Sequence, residues 1–516
     1  MGGGLIQLAA YGAQDIYLTG NPQITFFQVV YRKHTNFSIE SFEQTFIGSV
    51  DFGKKVDVHV TRNGDLLHRL YIEHEATVER KTLDANHNIG HVENYGHSLI
   101  KQCDIQIGGQ KIDRHTSLWS RVWSDLTEYN PDGHLGGPFI ISDSTPMISP
   151  PDTSNSTGTQ YQLMTGNGMA CNTDGYNSTL NQMGLRTGTD RNGFNYTPPV
   201  DAGSVKAKIN INKIFIPLNF WFCRESGLAL PLVALQYHEV KLIFEFEEFG
   251  KLFRVSDTAN FGTDGAITRA NMSDLTVTSN FTLWGDYVYL DTDERRRFAE
   301  EDHEYLIDQL QISQHFLNKP SNNIELKFSH PVKELIWVVR NETVTSSETA
   351  GGGRNQGLDT SKGDWTASPV SVDDFEGKWL LKLNNHDRFK ERETKYFTKT
   401  QVNQHHTGYG SVAGVYSRKS DLSGGQFQKQ KSSSIAVYSF ALNPEDHQPS
   451  GASNLSRIDN VVLESSDFKV WSIGSTLNKY VTVGETGATN LKLTVFAVNY
   501  NILRIMSGMG GLAYSN

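Results

Sequence analysis

Apolar residues recur at every second position in short runs, and polar, glycine-rich stretches separate the runs. Val56, Val58 and Val60 alternate with Asp57, His59 and Thr61, the period of a strand with one face buried. Asn63-Gly64 follows as a hairpin-turn signal, with Leu66, Leu70 and Ile72 on the return. Cys103, Ile105 and Ile107 continue the two-residue period, as do Ile209 and Ile211, Ile214 and Ile216, and Leu242, Phe244 and Phe246. Leu118, Val122 and Leu126 recur at helical spacing and predict one short helix carrying Trp119 and Trp123.

The stretch 283–311 divides the chain. It begins and ends like a strand, and its middle is rich in helix formers without Gly or Pro. Asp291 or Thr292 can cap a helix there, Asp293 and Glu294 suit its positive end, and Arg297 and Glu301 are spaced to pair. The acids flanking Arg295, Arg296 and Arg297 predict a salt-bridged hinge, completed by Phe298 and Tyr305. Beyond it the strand pattern returns at Ile324–Phe328, Leu335–Val339, Trp379–Leu383, Ile435–Phe440, Val461–Leu463, Phe468–Trp471 and Leu491–Tyr500. Many short strands and few helices predict sandwiches with Greek-key connections. Two halves in one style predict two copies of one sandwich.

Polar stretches interrupt both halves. Residues 128–205 have almost no periodic apolar pattern and carry Asn-x-Ser/Thr sequons at Asn155, Asn177 and Asn195, candidate glycosylation sites only on a secretory route. Residues 250–280 and 341–377 are similar in character. At the start, glycines lead into Leu5, Ile6, Leu8 and Ala9, an arm in style. Asn21-Pro22 then signals a helix start, with Ile24, Phe27, Val30, Tyr31 and His34 at helical spacing.

Length and composition narrow the function. At 516 residues two or more domains are expected. The 27 Phe, 20 Tyr and 46 Gly favour strands and turns. A net charge of −10 argues against direct nucleic-acid binding, which needs surplus Lys and Arg. Cys103, Cys171 and Cys223 are odd in number and far apart, so no disulfide framework or paired-cysteine metal site arises, and Cys103 reads as core packing. No run of 18 apolar residues spans a membrane as a helix, and the start lacks the basic head of a signal peptide. Gly2 suits myristoylation, but Ile6 stands where Ser or Thr is wanted.

Catalytic and metal patterns fail in turn. Gly2-Gly3-Gly4 and Gly351-Gly352-Gly353 lack the Lys and helix of a phosphate loop, and no Gly-x-Ser-x-Gly elbow occurs. His386 with His405 and His406 is the one metal candidate; adjacent histidines on a strand would point apart, so no metal or other cofactor is expected.

Six blocks, in order along the chain, resemble the major capsid proteins of nucleocytoplasmic large DNA viruses. They are Gly20–Phe37 (Gly-Asn-Pro-Gln-Ile-Thr-Phe-Phe at its start), Ile107–His115, Leu228–Val240 (beginning Leu-Ala-Leu-Pro-Leu), the hinge, Tyr438–Asp459 (containing Asn-Pro-Glu-Asp-His) and Ala497–Leu512. The resemblance implies an all-β fold of two tandem eight-stranded antiparallel jelly rolls joined by a short helical hinge. On that reading residues 1–24 are an arm, 25–292 the first roll with its insertion at 128–205, 293–305 the hinge helix and 306–516 the second roll. It also implies a homotrimeric, pseudohexagonal capsomer of an icosahedral virion shell, assembled in the host cytoplasm. Its partners would be neighbouring capsomers and minor capsid proteins on the inner face, close to an internal membrane. No catalytic residue is carried over. The competing class is a glycan-binding or glycan-hydrolysing β-sandwich, because fold alone does not fix function.

Overall fold

The computed structural model describes residues 3–10, 12–81, 89–92, 94–128, 160–166, 188–189, 195–196, 208–255, 272–341, 369–370, 372–408, 434–473, 478–483 and 491–514. Eight main strands build the first half: β1 (Phe37–Gln44), β2 (Lys55–His59), β3 (Leu66–Arg80), β4 (Ile100–Ile107), β5 (Gln110–Thr116), β6 (Lys208–Pro217), β7 (Val240–Phe246) and β8 (Leu275–Leu290). Eight more build the second: β9 (His303–Leu317), β10 (Asn322–Glu325), β11 (Pro331–Asn341), β12 (Phe375–Leu383), β13 (His386–Asp387), β14 (Ile435–Ser439), β15 (Val461–Ile473) and β16 (Leu491–Met506). A final strand, β17 (Met509–Leu512), folds back on β16.

The two halves share one topology. In the first, β1-β8-β3-β6 forms one sheet and β2-β7-β4-β5 the other. In the second, β9-β16-β11-β14 faces β10-β15-β12-β13. Counting strands within each half, both read 1-8-3-6 against 2-7-4-5, antiparallel throughout. That order is the jelly roll, and the molecule is two of them in tandem.

Alternation explains each core. On β7, Val240, Leu242, Phe244 and Phe246 are buried while Lys241, Ile243 and Glu245 are half-buried. Phe244 lies opposite Val56 on one side and Cys103 on the other. In the second roll, Trp337, Trp379, Phe375, Phe397 and Phe468 interlock as edge-on and tilted aromatic pairs.

Several local expectations change. Asn63-Gly64 is not a hairpin: β2 pairs with β7, while β3 belongs to the opposite sheet, so the turn crosses the sandwich. Gly64 is required there because a Cβ would lie 2.8 Å from Cβ of Tyr287. No helix begins at Asn21, which has a φ of 51°; the arm's helices are Gly3–Ala9 and Ile16–Thr19. Residues 24–36 have no sheet or helix beneath them to bury an amphipathic face, and short helices do not hold without one. The stretch 128–205 is not wholly without regular structure. It contains a helical turn, Gln160–Thr165, whose Tyr161 hydroxyl lies 3.4 Å from His97 Nε2 in the first roll.

Candidate functional site

The chemistry of this chain concentrates where the two rolls meet. Helix α1 (Ser117–Thr127) begins at Thr116, whose hydroxyl accepts from the Trp119 amide at 3.3 Å. Its apolar face then carries Leu118, Trp119, Val122, Trp123 and Leu126 out of the first roll. They form one buried cluster with Ile336 and Val338 of β11, Phe496 and Val498 of β16, and Val372, Val402, Ile435 and Val437. Trp119 and Phe496 have ring centroids 5.2 Å apart. Elsewhere along the seam Ile307, Leu503 and Ile505 of the second roll join the core of the first. A helix that buries its apolar stripe on another roll fixes the rolls relative to one another.

Polar ties reinforce the seam. Asp113 Oδ1 accepts from the Leu310 amide at 3.1 Å, and the Ile112 carbonyl accepts from Gln309 Nε2. The Tyr237 amide donates to the Gly508 carbonyl at 2.9 Å, and His238 Nδ1 lies 2.8 Å from the Gly510 carbonyl. Asp308 Oδ2 accepts from Arg224 of the first roll at 3.1 Å and from Lys333 Nζ at 3.0 Å. Arg224 also lies over the Trp123 ring, 4.9 Å from its centroid.

The hinge sits at the seam's edge. Helix α2 (Thr292–Glu300) is capped by Asp291, and Arg297 Nε pairs with Glu301 Oε1 at 3.2 Å. Arg295 Nε reaches Asp65 Oδ1 at 2.9 Å, tying the helix to the first roll, while Arg296 is exposed. Phe298 stacks on His303 at 5.3 Å, and His303 on Tyr305 at 5.9 Å. Tyr305 is not helical; it lies in β9 and packs on the first core, because the helix ends at Glu300 rather than 305.

The other sequence candidates do not converge. Asn155 and Asn177 lie outside the described residues. Asn195 falls in a two-residue strand, Asn195–Tyr196, paired with Gly188–Thr189. His386 is exposed in β13. His405 and His406 stand at the end of a helical turn, Gln401–His405, not on a strand. His405 Nδ1 lies 2.9 Å from the Leu442 carbonyl, whereas His406 reaches two carboxylates, Glu334 and Glu445, at 2.9 Å each. Sequence reasoning missed that ionic group, which includes Asp308, Lys333, Glu334 and Glu445. Its signal was Lys333-Glu334 directly before the apolar run Leu335–Val339, since buried charges require partners.

The arm is the opposite of the seam. Among the described residues of 3–36 none is buried. Among the described residues, twelve of the 22 exposed large apolar side chains lie between Leu5 and Tyr31. Uncovered apolar surface at this density is unusual on a monomeric protein.

Comparisons with known proteins agree along the whole chain. The family profile described as major capsid protein N-terminus matches residues 25–291, and the profile for the large eukaryotic DNA virus major capsid protein matches 294–417 and 426–511. The chain is 40% identical to the major capsid protein of Pyramimonas orientalis virus, with both chains covered completely. It is 37% identical to that of Paramecium bursaria Chlorella virus 1, again over 100% of each. Among solved structures, a chain of the PBCV-1 virus capsid superposes with a TM-score of 0.62 at 31% identity, covering 95% of this chain and 100% of that one.

Proposed function

Because this chain belongs to the major capsid proteins of large eukaryotic DNA viruses, we propose that it assembles as a homotrimer whose nearly hexagonal outline tiles an icosahedral shell. Its role is structural, in the virion capsid. The trimer rests on one observation: the two rolls repeat a single strand order and are held side by side by helix α1. Each chain therefore offers two similar outer faces, and three chains about one axis offer about six. A heterologous contact that closes gives such a ring. The subunit contact is obligate in character, on the order of 2,000 Å² or more, and contacts between trimers are smaller and more polar.

Within the chain, residues 1–24 act as the arm, 25–292 and 306–516 as the two rolls, and 293–305 as the hinge. The arm faces inward or sideways, toward neighbouring capsomers or minor capsid proteins and close to an internal membrane. The polar insertions face outward. The composition of 128–205 and 341–377 supports that orientation, because long polar loops cannot be buried without orphaning backbone groups. Assembly takes place in the host cytoplasm, and the chain neither catalyses a reaction nor contacts nucleic acid directly.

Light scattering on dilute protein tests the trimer. The expected mass is three times the 57.7 kDa of one chain, and negative-stain images are expected to show uniform pseudohexagonal particles. Monomers persisting at micromolar concentration would overturn it.

A further inference from the structure

In strand β11 the apolar run Leu335–Val339 is directly preceded by Lys333 and Glu334, whose side chains are both fully buried. Val332 and Glu334 face Asn499 and Val498, so Lys333 is the extra residue of a β-bulge. Lys333 pairs with Asp308, which also holds Arg224, and its ammonium lies 5.1 Å from the Tyr500 ring centroid. Glu334 Oε2 lies 2.9 Å from Nε2 of the fully buried His406 side chain, the one cationic partner of Glu334 among the described residues. The other ring nitrogen, Nδ1, lies 2.9 Å from Glu445 Oε1. Arg224 and Lys333 supply two positive charges against Asp308, Glu334 and Glu445. The group balances only when the His406 imidazole keeps its proton, with Nδ1–H donating to Glu445 and the Nε2 edge in ionic contact with Glu334.

The groups around it leave that assignment intact. Burial pushes the Tyr500 phenol up to about 12, so it stays neutral, and Asp446 adds negative charge nearby. On α1, Arg121 Nε pairs with Asp125 Oδ2 at 2.7 Å, and His405 turns away toward Leu442. Burial by itself pulls the His406 pKa down; Glu334 and Glu445 outweigh it and push it up to about 9.

The histidine holds a definite piece of chain. The Thr407 amide donates to Glu445 Oε1 at 3.0 Å, and the Thr407 hydroxyl lies 2.9 Å from the Thr127 carbonyl. The Gly408 amide donates to the Leu126 carbonyl at 2.6 Å. We propose that the His406 imidazolium is a proton-operated clamp that ties the segment His405–Gly408 of the second roll to the C-terminal end of α1 in the first. With the proton present, one imidazolium charge is shared between Glu334 and Glu445, and the two segments are locked together. Without it, a buried carboxylate faces a neutral ring and the tie opens.

The direction with pH follows from the raised pKa. The clamp's contribution is complete below about 6.5, the ordinary histidine value, and is lost as pH rises through about 9. Mildly alkaline conditions therefore loosen this end of the seam without unfolding either roll.

Two mass-spectrometric readouts on dilute, unassembled full-length protein test the clamp independently of the trimer. Exchange of the imidazole C2 hydrogen of His406 is expected to titrate near pH 9. Amide protection at Thr407 and Gly408, corrected for intrinsic exchange, is expected to fall by up to about tenfold per pH unit between those limits. Glu445→Gln should shift both profiles toward lower pH, and His406→Gln should flatten the amide profile. A His406 midpoint at or below 6.5, or amide protection that ignores it, would overturn the clamp. Should His406→Gln fail to fold, the Glu445→Gln shift alone decides, since no shift refutes the pairing.

Discussion

The amide of Gly408, in the second roll, donates to the carbonyl of Leu126 at the end of α1 in the first. The approach is close enough that a Cβ on residue 408 would lie 2.5 Å from the carbonyl oxygens of Asp125 and Leu126. Backbone cannot move aside as a flexible side chain can. Gly408→Ala is therefore expected to cost about 1–3 kcal/mol, in the range of an overpacked site. Gly227→Ala, where nothing lies within 4 Å, should stay within about 0.5 kcal/mol. Equal urea midpoints for the two variants would sink the argument.

Asp308 is the shared acceptor of a buried Lys and a half-buried Arg. Removing it leaves Lys333 uncompensated with no exposure to water. Asp308→Ala is expected to destabilise by about 3–5 kcal/mol. Replacing Lys333 with Met in the same chain should recover a large part of that loss, because an apolar pair needs no counter-charge. A double variant no more stable than Asp308→Ala would argue against an electrostatic cause.

The fold was legible in the sequence because its signal is local. Leu242, Phe244 and Phe246 alternate so regularly that one face had to be core, and the structure buries all three, with Val240 beside them. The helix with Trp119 and Trp123 was equally plain, but its partner was not. Nothing in periodicity says that the apolar stripe of Leu118, Val122 and Leu126 meets Ile336 and Phe496, more than 200 residues away. Asn63-Gly64 misled for a related reason: a turn signal fixes the turn, not which sheet the next strand joins. His406 was weighed as a metal ligand because its neighbour His405 and distant His386 share a chemistry. Its real partners, Glu334 and Glu445, carry no spacing motif. The seam is a product of tertiary contact, and only charge directly before an apolar run announced it.

Helix α1, rather than the hinge, should dominate the angle between the rolls. Trp119 is buried against Phe496, whereas Phe298 is half-exposed and stacks on His303. Trp119→Ala is expected to cost about 3–5 kcal/mol and to broaden the inter-roll distribution in small-angle scattering. Phe298→Ser and Tyr305→Ser, which probe the hinge, should loosen it less. A larger effect from the hinge pair would return the angle to the hinge.

Deleting residues 1–20 should leave the capsomer folded. The described residues of this segment are not buried, and Leu5, Ile6, Leu8, Tyr17 and Leu18 are exposed. Truncation is expected to leave the melting temperature unchanged and to impair shell formation from capsomers. Assembly at the full-length rate would remove the arm from the list of contact regions.

Stability should pass through a maximum near pH 6.5, set by histidines of opposite kind. His74 and His97 are buried and neutral: burial pulls both down to about 3, against the Asn280 carbonyl in one case and aided by Arg121 in the other. The unfolded chain protonates them near 6.5, so acidification stabilises the unfolded state. Each therefore removes about 1.4 kcal/mol per pH unit as pH falls from 6.5 toward 3. His406 acts on the other side, losing its contribution as pH rises from 6.5 through about 9. Carboxylates titrate little between pH 6.5 and 5, so the acid limb near its top belongs to histidines. His74→Gln should make that limb shallower by about one proton and leave the alkaline limb alone, while His406→Gln should do the reverse. Urea midpoints measured at half-unit steps give both slopes. Variants that run parallel to the wild type on both limbs would show that these imidazoles do not control the profile.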